Sequence, residues 1–301
     1  MGRHASVTQT APAKLNLSLH VLRRRADGYH ELDSLVAFVP DLSDRLRLAP
    51  TPAAAENTLM VHGPFAAAVP TDGRNLALRA ANEMLRRWPD LFAPVHIELR
   101  KALPVAAGIG GGSADAAAVL RGLCALYRAH PPEADLRALA LELGADVPVC
   151  LSGRAARVGG IGEMIRPVRL PSTLHVLLCN PGIAISTAAV FRRLAELRRA
   201  ENVREAPGMA PQCMNFASIA DFIDALEAMR NDLERPACER APQVGECLRA
   251  LRALPGARLV RMSGSGATCF ALFESGAGAR AAEDRLRRKH PDWWVGVGVA
   301  I

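Results

Sequence analysis

The sequence predicts a protein of mixed strands and helices in two domains, and three observations carry that prediction. A chain of 301 residues is long for one hydrophobic core and comfortable for two. Runs with a two-residue apolar period alternate along it with runs of helical period. A strand ending at Lys101 feeds a glycine-rich loop that opens directly into an alanine-rich helix, L-P-V-A-A-G-I-G-G-G-S-A-D-A-A-A-V-L over 103–120.

From Ser6 to Leu22 the chain reads as a strand. Leu15, Leu17, Leu19 and Val21 share one face, and Lys14, Asn16, Ser18 and His20 share the other; a solvated strand face would explain Asn16, Ser18 and His20 but not Lys14. Asp27-Gly28 signals a turn, followed by Tyr29-His30 and strands at Leu32–Val39 and Asp44–Leu48. Asn75–Trp88 has helical periodicity and stops at Pro89-Asp90; Val95–Lys101 alternates as a strand. After the helix that Ser113 opens come another at Asp135–Leu143 and then Asp146, expected at a turn before a short apolar strand because Pro148 disfavours an ordinary helix.

Arg154–Ile165 reads as a glycine-loosened hairpin and as the domain boundary, giving an N-terminal domain over 1–165 and a C-terminal one over 166–301. Leu174–Cys179 is a buried strand extended by Ile183 and Ile185, and Ser186-Thr187 cap a helix over Ala188–Arg199. Glu201–Pro211 reads as a polar loop. Helices follow at Ser218–Met229 and Gln243–Leu254. Leu259–Met262 then enters a second glycine loop, S-G-S-G, between strands, with a helix at Arg280–Arg288 and a closing strand at Val295–Ile301.

The first glycine loop has the composition of a phosphate cradle. Gly108, Gly110, Gly111 and Gly112 lack Cβ atoms, so backbone there can take positive φ and approach an anion closely, and the helix behind it aims unpaired N–H groups at the loop. Ser113 stands where a Walker A loop needs Lys and where a dinucleotide fingerprint needs its third Gly, so neither pattern fits.

Composition narrows the class. Seven cysteines without a C-x-x-C pair argue against a disulfide framework or zinc knuckle. No run of about 18 apolar residues and no apolar leader core occur, so the expectation is a cytoplasmic protein without membrane contact. A net charge of +7 suits an anionic partner. With aromatics at 4%, the basic stretches lack the interleaved rings of a nucleic-acid binder, and none is expected to bind here. Of the 37 basic residues only Lys14, Lys101 and Lys289 are lysine. In a chain that uses Arg for surface cations, each Lys is informative, and Lys14 reads as a point charge in a tight site.

Three stretches carry a resemblance that spans nearly the whole chain: A-P-A-K-L-N-L-S-L-H-V-L-R-R-R-A-D-G-Y-H-E-L at 11–32, P-V-A-A-G-I-G-G-G-S-A-D-A-A-A-V-L at 104–120, and M-S-G-S-G-A-T-C-F-A-L-F at 262–273. Together with G-A-D-V-P and P-G-I-A-I-S-T, they resemble the 4-diphosphocytidyl-2-C-methyl-D-erythritol kinases of the GHMP kinase superfamily. The resemblance implies an α+β fold, with an ATP-binding N-terminal domain like domain 2 of ribosomal protein S5 and a ferredoxin-like, substrate-binding C-terminal domain.

It also implies ATP and Mg²⁺ as cofactors, and 4-diphosphocytidyl-2-C-methyl-D-erythritol as the small-molecule substrate, phosphorylated on its 2-hydroxyl in the non-mevalonate route to isoprenoid precursors. The metal's protein ligands are not indicated, and monomer and homodimer are both compatible. By the same resemblance, Asp146 is the catalytic base and Lys14 its partner at the reacting hydroxyl. Pro104, Val105, Ala106, Ala107, Gly108, Ile109, Gly110, Gly111, Gly112, Ser113 and Ala114 form the phosphate loop. Tyr29 and His30 hold the cytosine, Asn16 orients the acceptor, and Thr187 lies near the erythritol or diphosphate. The loop departs from the family at Ala106-Ala107, where glycine is commoner. Another GHMP kinase would share both glycine loops without D-G-Y-H, and an RNA-binding protein on an S5-like fold would need the missing aromatics.

Overall fold

The computed structural model describes residues 6–25, 28, 30–51, 53–170, 174–201, 216 and 218–301. In chain order its elements are β1 (Val7–Arg24), β2 (His30–Pro50), β3 (Thr58–His62), α1 (Leu76–Arg87), β4 (Val95–Arg100), α2 (Gly111–Tyr127), α3 (Glu133–Leu143), α4 (Val147–Ser152), β5 (Ala156–Gly160) and β6 (Met164–Pro167). They continue with β7 (Leu174–Asn180), α5 (Thr187–Ala200), α6 (Ile219–Glu227), α7 (Glu234–Arg240), α8 (Pro242–Arg252), β8 (Val260–Met262), β9 (Cys269–Phe273), α9 (Gly276–Lys289) and β10 (Trp294–Ala300). The chain forms two compact units. One comprises Met1–Ala13, Ser43–Val105 and Gly110–Gly153; the other comprises Lys14–Leu42, Ala106–Ile109 and Arg154–Ile301.

In the first unit β4 pairs antiparallel with Arg45–Pro50 of β2 and parallel with β3. Alternation puts Leu46, Leu48, Ile97 and Leu99 inside. Helix α1 starts at Asn75, whose side chain accepts from Ala77 N–H, and it buries Ala77, Ala80, Ala81 and Met84. It packs on α2. Gly122 lets α2 lie close on β2, since a Cβ there would stand 3.0 Å from the Leu48 side chain.

In the second unit Leu32–Val36 of β2 pairs with β5, and β5 with β6, both antiparallel. Arg157 clamps Asp33 across that pairing through two hydrogen bonds of 2.7 Å. A separate antiparallel sheet runs β10-β7-β9-β8. Its inner face packs Leu177, Cys179 and Phe273 with Leu248 and Leu251 of α8 and Leu286 of α9. Mainly antiparallel sheets with helices gathered on them make this an α+β fold, as expected.

Several local readings change. The strands expected at Leu32–Val39 and Asp44–Leu48 are one strand, β2, running through the exposed Pro40. Between Val36 and Arg45 β2 leaves the β5 ladder and has not yet entered the β4 ladder, so a residue without an N–H is tolerated there. Val147–Ser152 is helical rather than extended, because Pro148 lies in the first turn, where the missing N–H costs nothing. Residues 183–186 are irregular and do not extend β7. The structure adds β3 and α7. Most of the polar loop expected at Glu201–Pro211 lies outside the described residues.

Candidate active site

In the first unit, β4 delivers the chain to Pro104 and Val105, and α2 begins at Gly111. Positive φ occurs at Gly108 (74°), Gly110 (65°) and the non-glycine Ala106 (52°). Gly111 and Gly112 are ordinary helical residues, which corrects the expectation that all four glycines are there for left-handed backbone. Ala106 occupies a conformation that costs an L-residue about 1–2 kcal/mol and that glycine takes without penalty.

Gly110 caps α2 in the left-handed conformation and offers no side-chain acceptor; the first bond back is Ala114 N–H to Gly110 C=O at 2.8 Å. The N–H groups of Gly111, Gly112 and Ser113 therefore have no acceptor within the helix, and the first turn carries no acidic residue. With the helix dipole behind them they suit an anion such as a phosphate.

Asp146 precedes α4 and its side chain makes no capping bond to it. The carboxylate is half-buried. The turn that carries it lies beside the start of α2: a Cβ on Gly144 would stand 4.0 Å from Ser113 Oγ. Arg121 of α2 holds α4 in place, donating to Cys150 C=O at 2.8 Å and to Thr10 C=O at 3.1 Å. The first unit thus brings together Pro104, Val105, Gly110–Ala114 and Asp146.

The second unit carries the other predicted residues. The polar face of β1 is buried, not solvated: Lys14, Asn16, Ser18 and His20 are each at most 4% exposed. Asn16 donates from Nδ2 to Ser34 Oγ at 2.7 Å and from its backbone to Ser263 Oγ at 3.1 Å, while its Oδ1 is buried without a partner. An unpaired buried acceptor costs about 1–3 kcal/mol unless something donates to it. Burial holds the His20 imidazole below its usual range, and the Arg230 charge adds to this. Arg261 anchors β1, donating to Leu17 C=O at 2.6 Å.

Ala106–Ile109 of the first glycine loop interlock with the second. Ser263 donates to Gly108 C=O at 3.0 Å, Thr268 N–H to Ala107 C=O at 3.1 Å, and Lys14 N–H to Ile109 C=O at 2.9 Å. Neither loop has room for a side chain at the contact: a Cβ on Gly108 would lie 2.4 Å from Ser263 O, and one on Gly264 2.6 Å from Gly108 O. Thr187 is exposed at the start of α5 and its hydroxyl meets Ser265 Oγ at 2.8 Å. His30 stacks on Phe191 with ring centroids 4.7 Å apart. Tyr29 lies outside the described residues.

Comparison with known proteins places this geometry. Residues 75–154 match the GHMP kinases N-terminal domain and residues 214–292 the GHMP kinases C-terminal domain. A 4-diphosphocytidyl-2-C-methyl-D-erythritol kinase of Cereibacter sphaeroides is 47% identical over 95% of this chain and 96% of its own. The chain belongs to the 4-diphosphocytidyl-2-C-methyl-D-erythritol kinase family. A crystal structure of a 4-(cytidine 5'-diphospho)-2C-methyl-D-erythritol kinase superposes with a TM-score of 0.76 at 38% identity, covering 98% of this chain and 99% of that one. A homoserine kinase of Cytophaga hutchinsonii, 17% identical with a TM-score of 0.70 over 100% of this chain and 96% of its own, shares the fold.

In this kinase, sequence reasoning missed Phe191, which pairs with His30, and Ser34 and Ser263, which hold Asn16. The aromatic i+4 from Thr187 was the available signal for Phe191; the serines lie 18 and 247 residues from Asn16 and leave none. No group of three or more His, Cys, Asp or Glu among the described residues forms a metal cage, and no described helix is long and apolar enough to cross a membrane.

Proposed function

We propose that this kinase transfers the γ-phosphoryl group of ATP to the 2-hydroxyl of 4-diphosphocytidyl-2-C-methyl-D-erythritol, giving the 2-phosphate and ADP, in the cytoplasm as a step of the non-mevalonate route. Family membership over nearly the full chain is the observation that carries the reading. The domain division at 165 belongs to the same proposal. Phosphoryl transfer asks the protein mainly for positioning and charge stabilisation, and the residues can be assigned on that basis.

The N–H groups at the start of α2 and the loop over 104–114 receive the triphosphate. Asp146 accepts the proton of the 2-hydroxyl, and the Lys14 ammonium stands at that hydroxyl as a compact charge. Asn16 Oδ1, the buried acceptor without a partner, takes a hydrogen bond from the acceptor's polyol. Thr187 contacts the erythritol or diphosphate end. Mg²⁺ would arrive on ATP and neutralise the triphosphate; Ser113 offers the kind of oxygen donor it takes, and no all-protein cage is required.

Tyr29 and His30 recognise the cytosine, and the stack of His30 on Phe191 supports an aromatic recess of that kind. Tyr29→Ala is expected to raise the acceptor KM roughly ten- to a hundred-fold at an unchanged ATP KM, since a stacked base is worth about 1–3 kcal/mol. His30→Ala should relax the choice between cytidine and uridine forms of the acceptor, because hydrogen bonds to the ring edge tell these bases apart. Steady-state kinetics with both acceptors decide it. Variants that change neither acceptor KM nor base preference would remove both residues from the acceptor site.

A further inference from the structure

The first unit contains a buried charge cluster that none of these roles uses. Lys101 is 3% exposed, and its Nζ donates to Asp44 Oδ2 at 2.5 Å and to Asp115 Oδ2 at 2.6 Å. Asp44 is fully buried and Asp115 is 2% exposed. Asp44 uses its other oxygen to accept from Ala102 N–H at 2.6 Å and Leu103 N–H at 2.9 Å, the two residues before Pro104. Asp115 is on α2, one turn in from its start. Lys101 itself is fixed along its backbone, donating to His62 C=O at 2.7 Å and accepting from Phe65 N–H at 3.3 Å. Its ammonium lies directly under the first residue of the helix, since a Cβ on Gly111 would stand 3.1 Å from Nζ.

One ammonium therefore ties the strand that enters the glycine loop to the helix that leaves it. A buried cluster of this kind is poor economy for stability alone, because desolvating three charges offsets most of what their attraction returns. Asp115 Oδ1 has no partner, which adds to the cost. Burial pushes the Asp115 carboxyl up in pKa against the pull of Lys101, and Lys101 is held charged by the two carboxylates despite its own burial.

We propose that Lys101 is a positioning residue for triphosphate binding: with Asp44 and Asp115 it clasps both ends of the glycine loop and fixes where the N–H groups of Gly111, Gly112 and Ser113 point. The inference rests on the reading of that loop as the triphosphate site. Its consequence is selective. Loosening the clasp displaces donors to the β- and γ-phosphates while leaving the adenosine and the acceptor where they were.

The test is steady-state kinetics and inhibition by AMP with Lys101→Met, Asp115→Leu and Asp115→Asn, each checked for folding by circular dichroism. Lys101→Met and Asp115→Leu should raise the ATP KM at least about ten-fold, since hydrogen bonds to a charged group carry that much, while the AMP Ki and the acceptor KM stay within about two-fold. Asp115→Asn, whose amide oxygen still accepts from Lys101, should restore the ATP KM to within about three-fold of the native value. Should Lys101→Met not fold, the contrast between the Leu and Asn variants of Asp115 carries the same test. An ATP KM unchanged in folded Lys101→Met or Asp115→Leu overturns the clasp, as does an equal loss of AMP and ATP. If the native kinase binds AMP as tightly as ATP, the triphosphate reading of the loop fails instead, and the two failures are told apart.

Discussion

Replacing Asp146 with Asn is expected to lower kcat by about 10²- to 10⁴-fold, the usual range for removing a positioned base, and to leave the ATP KM within about two-fold. The structure makes this a clean experiment. Asp146 makes no capping bond to α4, so an amide of the same shape takes no helix cap away, and α4 is held independently by Arg121. What changes is the ability to accept a proton. Single-turnover and steady-state rates measured with the physiological acceptor would show the loss, and native turnover in a folded Asp146→Asn would return this residue to the role of a turn.

The second large effect is structural. Gly108 has φ of 74°, and a Cβ on it would meet Ser263 O at 2.4 Å and Gly266 N and O at 2.8 Å, all backbone atoms that cannot swing aside. Gly108→Val should cost on the order of 3 kcal/mol or more, combining left-handed strain with overpacking, which for a protein of this size is a fall of roughly 5 °C or more in Tm. Gly112→Ala is the control. It is helical, and its Cβ would make an ordinary 3.7 Å contact with Leu76. Thermal unfolding of the pair checks the argument, which fails if both variants melt with the native protein.

The strands and helices that sequence made legible are those with a regular period and a strong stop. The helix expected over Asn75–Trp88 is α1, Ser186 caps α5 as its side chain predicts, and the apolar run Leu174–Cys179 is a central strand. Proline misled where its position in the element mattered more than its presence. Pro40 falls where β2 changes ladders and Pro148 in the first turn of α4, and neither place needs the missing N–H.

The polar face of β1 could not be recognised as buried, because burial of Asn16 and Ser18 depends on Ser34, Leu35 and Ser263, partners brought in by the fold and not by spacing. The glycines were legible as a group but not individually: Gly108 and Gly264 are required by the backbone contact between two loops 155 residues apart, while Gly111 is seated over a lysine. Lys101 stood out only by the rarity of its residue type. Its partners, 57 and 14 residues away, had no local signature.

The measurement that bears most directly on the account is ADP release with a panel of acceptors: 4-diphosphocytidyl-2-C-methyl-D-erythritol, its uridine counterpart, mevalonate and homoserine, with the phosphorylated product located by ³¹P NMR. The expected result is turnover on the cytidine compound, at least about ten-fold lower kcat/KM on the uridine compound, none on the other two, and a single new monoester on the 2-hydroxyl. Comparable turnover on mevalonate or homoserine, or a monoester at a different hydroxyl, would contradict it.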